Sequence, residues 1–407
     1  MSDDRHSWSL TTRLIHEGER AGAPVPVPTA TPIYTSSTYV YPRAADLDDC
    51  FEHGEGYVYA RHGNPTVAAF EQALTMAEGG AGAVAFGSGM AALHAALLAA
   101  GTPRGETSPR VQRILAARDL YGATTSLLES FFANQGAQVS YVDTCDLAAV
   151  DAAMTACQPQ VLLVEQISNP LLKVVDIAAL AQRAKAAGAR LVVDSTMTTP
   201  IVQQPLRLGA DIVVHSATKY IGGHGDVTGG IAVARAGLLR DTLRRYSKLL
   251  GAVLGPHEAS ALLRGMKTLS LRVRQQCANA SVVAAWLAEQ PQIARVFYPG
   301  LAAHPQHELA AQTFGGLFGA MVTLELRQGG REALFSFLDS LRLILPATSL
   351  GDIYTLASVP VMSSHRDLSP EQRAERGITD GMVRLSIGIE DAGDLIADLG
   401  GALAARL

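Results

Sequence analysis

From about residue 80 to 235 the chain alternates short apolar runs with longer stretches of helical spacing. Residues 83–86 predict a strand, and an alanine-rich helix follows to about residue 100. Runs at 111–116, 139–142, 161–164, 191–193, 212–214 and 230–233 predict further strands, and 178–187 a helix. Buried runs separated by helices predict a mostly parallel α/β sheet. Ligands of such sheets bind beyond the carboxyl ends of the strands. Ser88, Tyr121, Asn169, Asp194 and Lys219 all stand just past predicted strand ends.

The pattern differs on either side. Residues 1–62 form a polar arm containing Pro24, Pro26, Pro28, Pro32 and Pro42, with little periodicity. Such a segment rarely folds alone, so it is expected to lie on another surface, that of a neighbouring subunit included. Asn64-Pro65 is a turn signal, and Thr66 is expected to cap a helix running to about residue 77. Residues 63–255 make the large domain. Beyond them come a long helical region over 258–289, a strand-like run at 320–326, a helix at 331–341, and an alternating run at 382–387 before a last helix. Residues 256–407 therefore predict a smaller α+β domain.

Composition narrows the class. The chain has 407 residues, of which 48% are hydrophobic, enough for a large core. A net charge of −5 without a basic block argues against nucleic-acid binding. Cys50, Cys145, Cys157 and Cys277 form no C-x-x-C pair, so neither a disulfide scaffold nor a metal site is expected. No apolar run reaches the roughly 18 residues of a membrane span, and the first ten residues lack a signal peptide's apolar core. A cytoplasmic protein is expected.

The candidate chemistry centres on Lys219, in Asp211-Ile-Val-Val-His-Ser-Ala-Thr-Lys219-Tyr220. An ammonium at the end of a buried strand must be solvated, paired or chemically consumed. A solvated lysine is one reading. A Schiff base with pyridoxal phosphate is the other, supported by the flanking hydroxyls of Ser216 and Thr218 and the nearby glycines. Gly87-Ser88-Gly89-Met90, between a strand and a helix, is either a tight turn or a phosphate cradle at a helix N-terminus. Asp194 either caps a helix or meets a cofactor's ring nitrogen. Tyr121 is either a half-buried core residue or a stacking, proton-moving one. Arg384 makes a salt bridge or clamps a carboxylate.

Taken together, these residues resemble the Cys/Met-metabolism family of pyridoxal-phosphate enzymes. The resemblance runs from about residue 16 to 399. It is carried by Tyr59-Ala-Arg61-His-Gly-Asn-Pro-Thr66, Gly87-Ser-Gly-Met-Ala-Ala92, Tyr121-Gly122, Ser168-Asn-Pro-Leu-Leu-Lys173, Ser216-Ala-Thr-Lys-Tyr220, Leu263-Arg-Gly-Met-Lys-Thr-Leu269, Ser349-Leu-Gly351 and Arg384-Leu-Ser-Ile-Gly388. The resemblance implies a fold-type-I, aspartate-aminotransferase-like architecture and a homotetramer made of two active dimers. It implies a Schiff base at Lys219, with Asp194 at the ring nitrogen and Tyr121 stacked on the ring. Ser88, Gly89, Met90, Ser216 and Thr218 would hold the phosphate, with Tyr59 and Arg61 reaching it from the neighbouring subunit. Arg384, Asn169 and Ser349 would bind the substrate carboxylate. Lys219 and Tyr121 would move protons during γ-elimination or γ-replacement on an amino acid.

Departures narrow the substrate. Cystathionine enzymes typically carry charged residues where this chain has Val58, Ser126 and Tyr354, and methionine γ-lyases a cysteine where it has Ala123. Gln166, Ile167, Ser195, Ser363 and Ser364 also replace the family's usual residues. These changes are expected to cluster on the substrate side and to favour an unusual Cγ substituent, bonded through sulfur or oxygen.

Overall fold

The computed structural model describes residues 8–19, 26–54, 56–103, 111–328, 330–366 and 369–405. Met1–Ser7 and Pro24 of the expected arm lie outside these.

A seven-stranded sheet holds strands β1 (Gly82–Phe86), β2 (Arg113–Ala117), β3 (Gln138–Val142), β4 (Val161–Glu165), β5 (Arg190–Asp194), β6 (Ile212–His215) and β7 (Gly230–Ala234) in the order β1-β7-β6-β5-β4-β2-β3. Only β7 runs antiparallel to its neighbours. β1, β4, β6 and β7 are buried along their whole length, which is why their sequences read as unbroken apolar runs. Because β7 reverses direction between them, β1 and β6 point the same way. The carboxyl ends of β1, β2, β4, β5 and β6 therefore meet along one edge.

A second sheet holds β8 (Ile293–Phe297), β9 (Met321–Leu326), β10 (Leu345–Pro346), β11 (Leu356–Ser358) and β12 (Met382–Ser386) in the order β10-β11-β12-β9-β8. It packs with the helices Leu269–Ala288, Arg331–Asp339 and Ala392–Ala404 around Val322, Leu324, Phe337, Val383, Leu385 and Leu399. The change of character expected at residue 255 comes later in the packing. Ala259, Leu262, Leu263 and Met266 still close the core of the first sheet.

Two expectations about helices are corrected. The helix after the arm, Pro65–Glu78, is capped by Asn64, whose side chain accepts from the backbone N–H groups of Thr66 and Val67. Pro65 takes the first helical position, where a missing N–H costs nothing. Thr66 sits one residue inside and uses its hydroxyl to donate to the Pro32 carbonyl at 2.9 Å. The expected long helix is two, Pro256–Lys267 and Leu269–Ala288, separated at Thr268 with φ −108° and ψ 2°.

The arm is not uniform either. A short helix, Leu10–His16, buries Leu14 in the first core, and Glu19 pairs with Lys267 while accepting from the Thr31 hydroxyl at 2.7 Å. The start of the arm thus lies on its own chain. Farther along, Val40 is 95% exposed and Phe51 59%. Among the described residues, no helix is long and apolar enough to cross a membrane.

Candidate active site

The converging strand ends open a cavity of about 510 Å³ that also reaches β12 of the second sheet. Ser88, Gly89, Met90, Tyr121, Asn169, Asp194, Ser216, Thr218, Lys219, Ser349 and Arg384 all line it. Its acidic and basic side chains are Glu165, Asp194, Lys219 and Arg384.

Lys219 follows β6 by four residues and donates from Nζ to the Ser349 hydroxyl at 2.7 Å. Burial lowers its pKa, and the Arg384 guanidinium lowers it further, against an opposing pull from Asp352. A depressed ammonium releases its proton more readily and leaves a larger share of free amine to act as nucleophile and base. Arg384 is carried on the fully buried strand β12. Its Nη1 donates to Asn169 Oδ1 at 3.0 Å and its Nη2 to the Ser349 carbonyl at 2.9 Å. Its Nε is buried without a partner. Desolvation brings the guanidinium down to about 10, so an arriving carboxylate would relieve both the missing hydrogen bond and the buried charge. Ser349 joins the two cations. Its φ of +99° lies in the left-handed region that serine adopts at a cost.

On the other side, Ser88 caps the helix Gly89–Gly101 and accepts from the Ala91 N–H at 3.2 Å. The next N–H groups have no carbonyl within the helix to meet. A Cβ on Gly89 would stand 2.7 Å from the Ser216 Cβ, so the helix terminus and the loop after β6 approach closely. Thr218 is already engaged in the loop, donating to the Gly229 carbonyl at 3.2 Å and accepting from the Gly229 N–H at 3.0 Å. Asp194 ends β5 and accepts from the Thr196 N–H at 2.9 Å. Burial raises its pKa, while Thr196 and His215 act in the opposite direction. A helix terminus with adjacent hydroxyls, an acid deeper in the cavity and a depressed lysine form a donor set that fits pyridoxal phosphate: phosphate cradle, ring-nitrogen partner and amine.

Val58, Tyr59, Arg61, Ala123, Ser126 and Tyr354 do not line the cavity of their own chain. Arg61 donates to the Lys248 carbonyl at 3.0 Å and lies over the Tyr59 ring. Tyr354 is half exposed. The departures from the family pattern also divide. Ile167, Ser363 and Ser364 face the cavity. Gln166 and Ser195 do not, contrary to expectation. They are buried and answer each other, the Ser195 hydroxyl donating to Gln166 Oε1 at 2.8 Å and the Thr198 hydroxyl to the same oxygen at 2.6 Å. Two polar replacements that satisfy one another need no ligand to explain them.

Glu165, Thr196 and Thr228 also line the site, and the chain had pointed to none of them as binding residues. For Glu165 the signal was present, since it ends an apolar strand as Asp194 does.

Residues 11–404 match the family model described as "Cys/Met metabolism PLP-dependent enzyme". An L-methionine γ-lyase of Pseudomonas putida is 42% identical, covering 97% of each chain. An O-succinylhomoserine sulfhydrylase of Pseudomonas aeruginosa is 44% identical, covering 92% of this chain and 90% of the relative. The crystal structure of a cystathionine γ-synthase from Xanthomonas oryzae pv. oryzae superimposes with a TM-score of 0.90 at 36% identity, covering 98% of each chain. The architecture is accordingly that of fold type I, pyridoxal phosphate is the cofactor, and the activity is that of a lyase or a γ-replacement enzyme. This chain belongs to the Cys/Met-metabolism family of pyridoxal-phosphate-dependent enzymes.

Proposed function

We propose that the chain is a γ-lyase, which consumes one water, releases the Cγ substituent of an L-amino acid in protonated form and leaves 2-oxobutanoate and ammonia. One observation supports the proton transfers that this reading shares with γ-replacement: Ser349 bridges the Lys219 amine and the Arg384 guanidinium. A substrate held by its carboxylate on Arg384 presents its Cα and Cβ to Lys219. Bound pyridoxal phosphate supplies the electron sink for charge developing at Cα. Lys219 takes the Cα proton, gives it up to the bound cofactor, and as a free amine again takes a Cβ proton. Tyr121, 44% exposed at the cavity wall, delivers a proton to the departing group. Asn169 orients Arg384, and Asp194 holds the proton of the ring nitrogen. Ser88, Gly89, Met90, Ser216 and Thr218 hold the phosphate.

Cleavage of cystathionine has less support, because Val58, Ser126 and Tyr354 offer its distal amino acid no charge. The competing reading is γ-replacement by sulfide, as the name of the Pseudomonas aeruginosa relative has it. A product assay on acylated homoserines, methionine, homocysteine and canavanine, without and with sulfide, separates the two. Keto-acid release without sulfide is the expected result. Homocysteine formation that needs sulfide, with no keto acid in either arm, overturns the lyase reading.

The active unit in this reading is a dimer within a homotetramer, with Tyr59 and Arg61 completing a neighbour's phosphate site. The exposed apolar middle of the arm and the position of both residues off their own cavity support it. Light scattering of the holoenzyme at the mass of four chains, and weaker cofactor retention in Arg61→Ala, are the expected results.

A further inference from the structure

Tyr121 is asked to stand over the cavity, yet it sits on a loop, as the residue before the six-residue helix Gly122–Leu127. Its ring gains little from packing, being 44% exposed. The position must therefore come from the backbone, which is held on three sides. The Tyr121 carbonyl accepts from the Thr124 and Thr125 N–H groups at 2.9 and 3.1 Å. Gly122 lies so close to the Ser364 carbonyl that a Cβ there would stand 2.2 Å from the oxygen. The Tyr121 N–H, which no helical carbonyl can reach, donates to Glu165 Oε1 at 2.6 Å. Glu165 is the last residue of β4, buried, and part of the cavity wall.

We propose that Glu165 is a positioning residue for Tyr121: its carboxyl group fixes the backbone on which the ring stands, through an oxygen that an amide can replace. The inference rests on the reading of Tyr121 as proton donor and goes beyond it by naming what places that donor.

The replaceable oxygen follows from the neighbours. Glu165 pairs in register with Asp194 across β4 and β5, so the two side chains leave adjacent strands on the same face. Among the described residues, no cation forms a salt bridge with Glu165. Burial, then Asp194, then Asp119 push its pKa well up, with only the Tyr121 N–H pulling the other way. Asp194 has two hydrogen bonds from Thr196 and the His215 side chain in its favour. Environments that separate two neighbouring acids in this way divide their roles. Of the two, Asp194 is the better stabilised as the anion, and a protonated Glu165 accepts the Tyr121 N–H through its carbonyl oxygen. Glutamine reproduces that oxygen. Alanine does not.

The test compares holoenzymes of wild type, Glu165→Gln, Glu165→Ala, Tyr121→Phe and the double variant Tyr121→Phe/Glu165→Ala. Two readouts are taken: steady-state kinetics, and visible circular dichroism of the bound cofactor, which reports the asymmetry of the ring's surroundings. Glu165→Gln is expected to keep kcat within about 3-fold and the wild-type dichroism. Glu165→Ala is expected to lose at least about 10-fold in kcat with a smaller change in KM, and to alter the dichroism. Added to Tyr121→Phe, it is expected to cost little more in kcat, because a donor that is absent cannot be misplaced. The proposal is overturned if Glu165→Gln is as damaging as Glu165→Ala, if Glu165→Ala matches wild type, or if the losses in the double variant multiply. Should Glu165→Ala not fold, Glu165→Asp, too short to reach the Tyr121 N–H, takes its place with the same outcomes. A Tyr121→Phe enzyme with undiminished kcat overturns the proton-donor reading instead, while the dichroism of Glu165→Ala still decides whether Glu165 positions residue 121.

Discussion

The floor of the cavity and its rim are held by different means. Glu165 and Asp194 end paired strands, Lys219 stands on the turn after β6, and Arg384 lies within β12, hydrogen-bonded on both edges to β9 and β11. Val58, Ala123, Ser126 and Tyr354 sit on loops or a six-residue helix and leave the lining of their own chain. Ladder hydrogen bonds fix a side chain's origin closely, whereas loops tolerate replacement. The division teaches where each property resides. In the proposed reading, Lys219 and the carboxylate clamp of Arg384 are placed by the sheets and the turns at their ends, and the choice of leaving group would belong to what the loops and a neighbouring chain bring to the opening.

The largest effects should follow from the floor. In the proposed reading Lys219→Ala removes both the cofactor anchor and the base, and kcat should fall on the order of 10⁴-fold. Loss of the visible absorbance of the lysine-bound cofactor is the accompanying check. Retained absorbance with retained turnover would remove the floor's claim on the chemistry. Arg384→Ala should come next, with kcat/KM down about 10²–10³-fold, the scale of deleting one member of a desolvated ionic contact. The comparison sharpens with a substrate amide that lacks the carboxylate. Wild type and Arg384→Ala should then differ little. Arg384→Lys should not restore the activity, because an ammonium cannot replace the planar fork.

Much of the floor was legible along the chain, and for one reason. A buried strand reads as an apolar run, and a polar residue at its end must have a use or a partner. Asp194 and Lys219 are exposed by that contrast. The reversal of β7 was not legible, since a strand buried in the middle of a sheet has the same composition in either direction. Asn64 was missed as the helix cap because Pro65 and Thr66 fit the first turn equally well by residue type, and only the hydrogen bonds choose. Gln166 and Ser195 were misread because two substitutions 29 positions apart give no sign that they touch. The rim is legible as a set of departures, while their distance from the cavity depends on loop paths that periodicity does not encode.

His365 lies between the two regions. It sits on the loop beside Ser363 and Ser364, yet it is 2% exposed and its ring meets the Ser364 hydroxyl at 2.8 Å. Burial brings it down to about 4, with Arg376 and Arg384 acting in the same direction. The unfolded chain binds this proton near pH 6.5 and the folded chain only near 4. Between those values the unfolded state holds more protons, so acid favours unfolding. Stability from this residue is therefore complete above about pH 6.5 and falls as the pH drops towards 4, by up to about 3 kcal/mol. Urea unfolding at several pH values should show that slope in wild type and a flatter one in His365→Gln, whatever the variant's stability at neutral pH. An identical slope would assign His365 to the exposed rim.

The smallest effect should come from the rim itself. Tyr354 is 51% exposed and does not line the cavity. Tyr354→Ala should change stability by no more than about 0.5 kcal/mol, as substitutions away from packed features do. With small substrates, kcat should stay at the wild-type value and KM should move less than about 3-fold. Tyr354→Glu tests the same position from the other side, by putting a carboxylate where cystathionine enzymes carry one. Charge at an exposed site is screened over about 10 Å in physiological salt, so the gain should be confined to substrates long enough to bring a distal ammonium close to it. Cystathionine cleavage should rise, by no more than about 10-fold, while turnover of short substrates stays level. If Tyr354→Ala instead lowers kcat as far as Arg384→Ala lowers kcat/KM, residue 354 belongs with the machinery and the boundary between floor and rim is drawn in the wrong place.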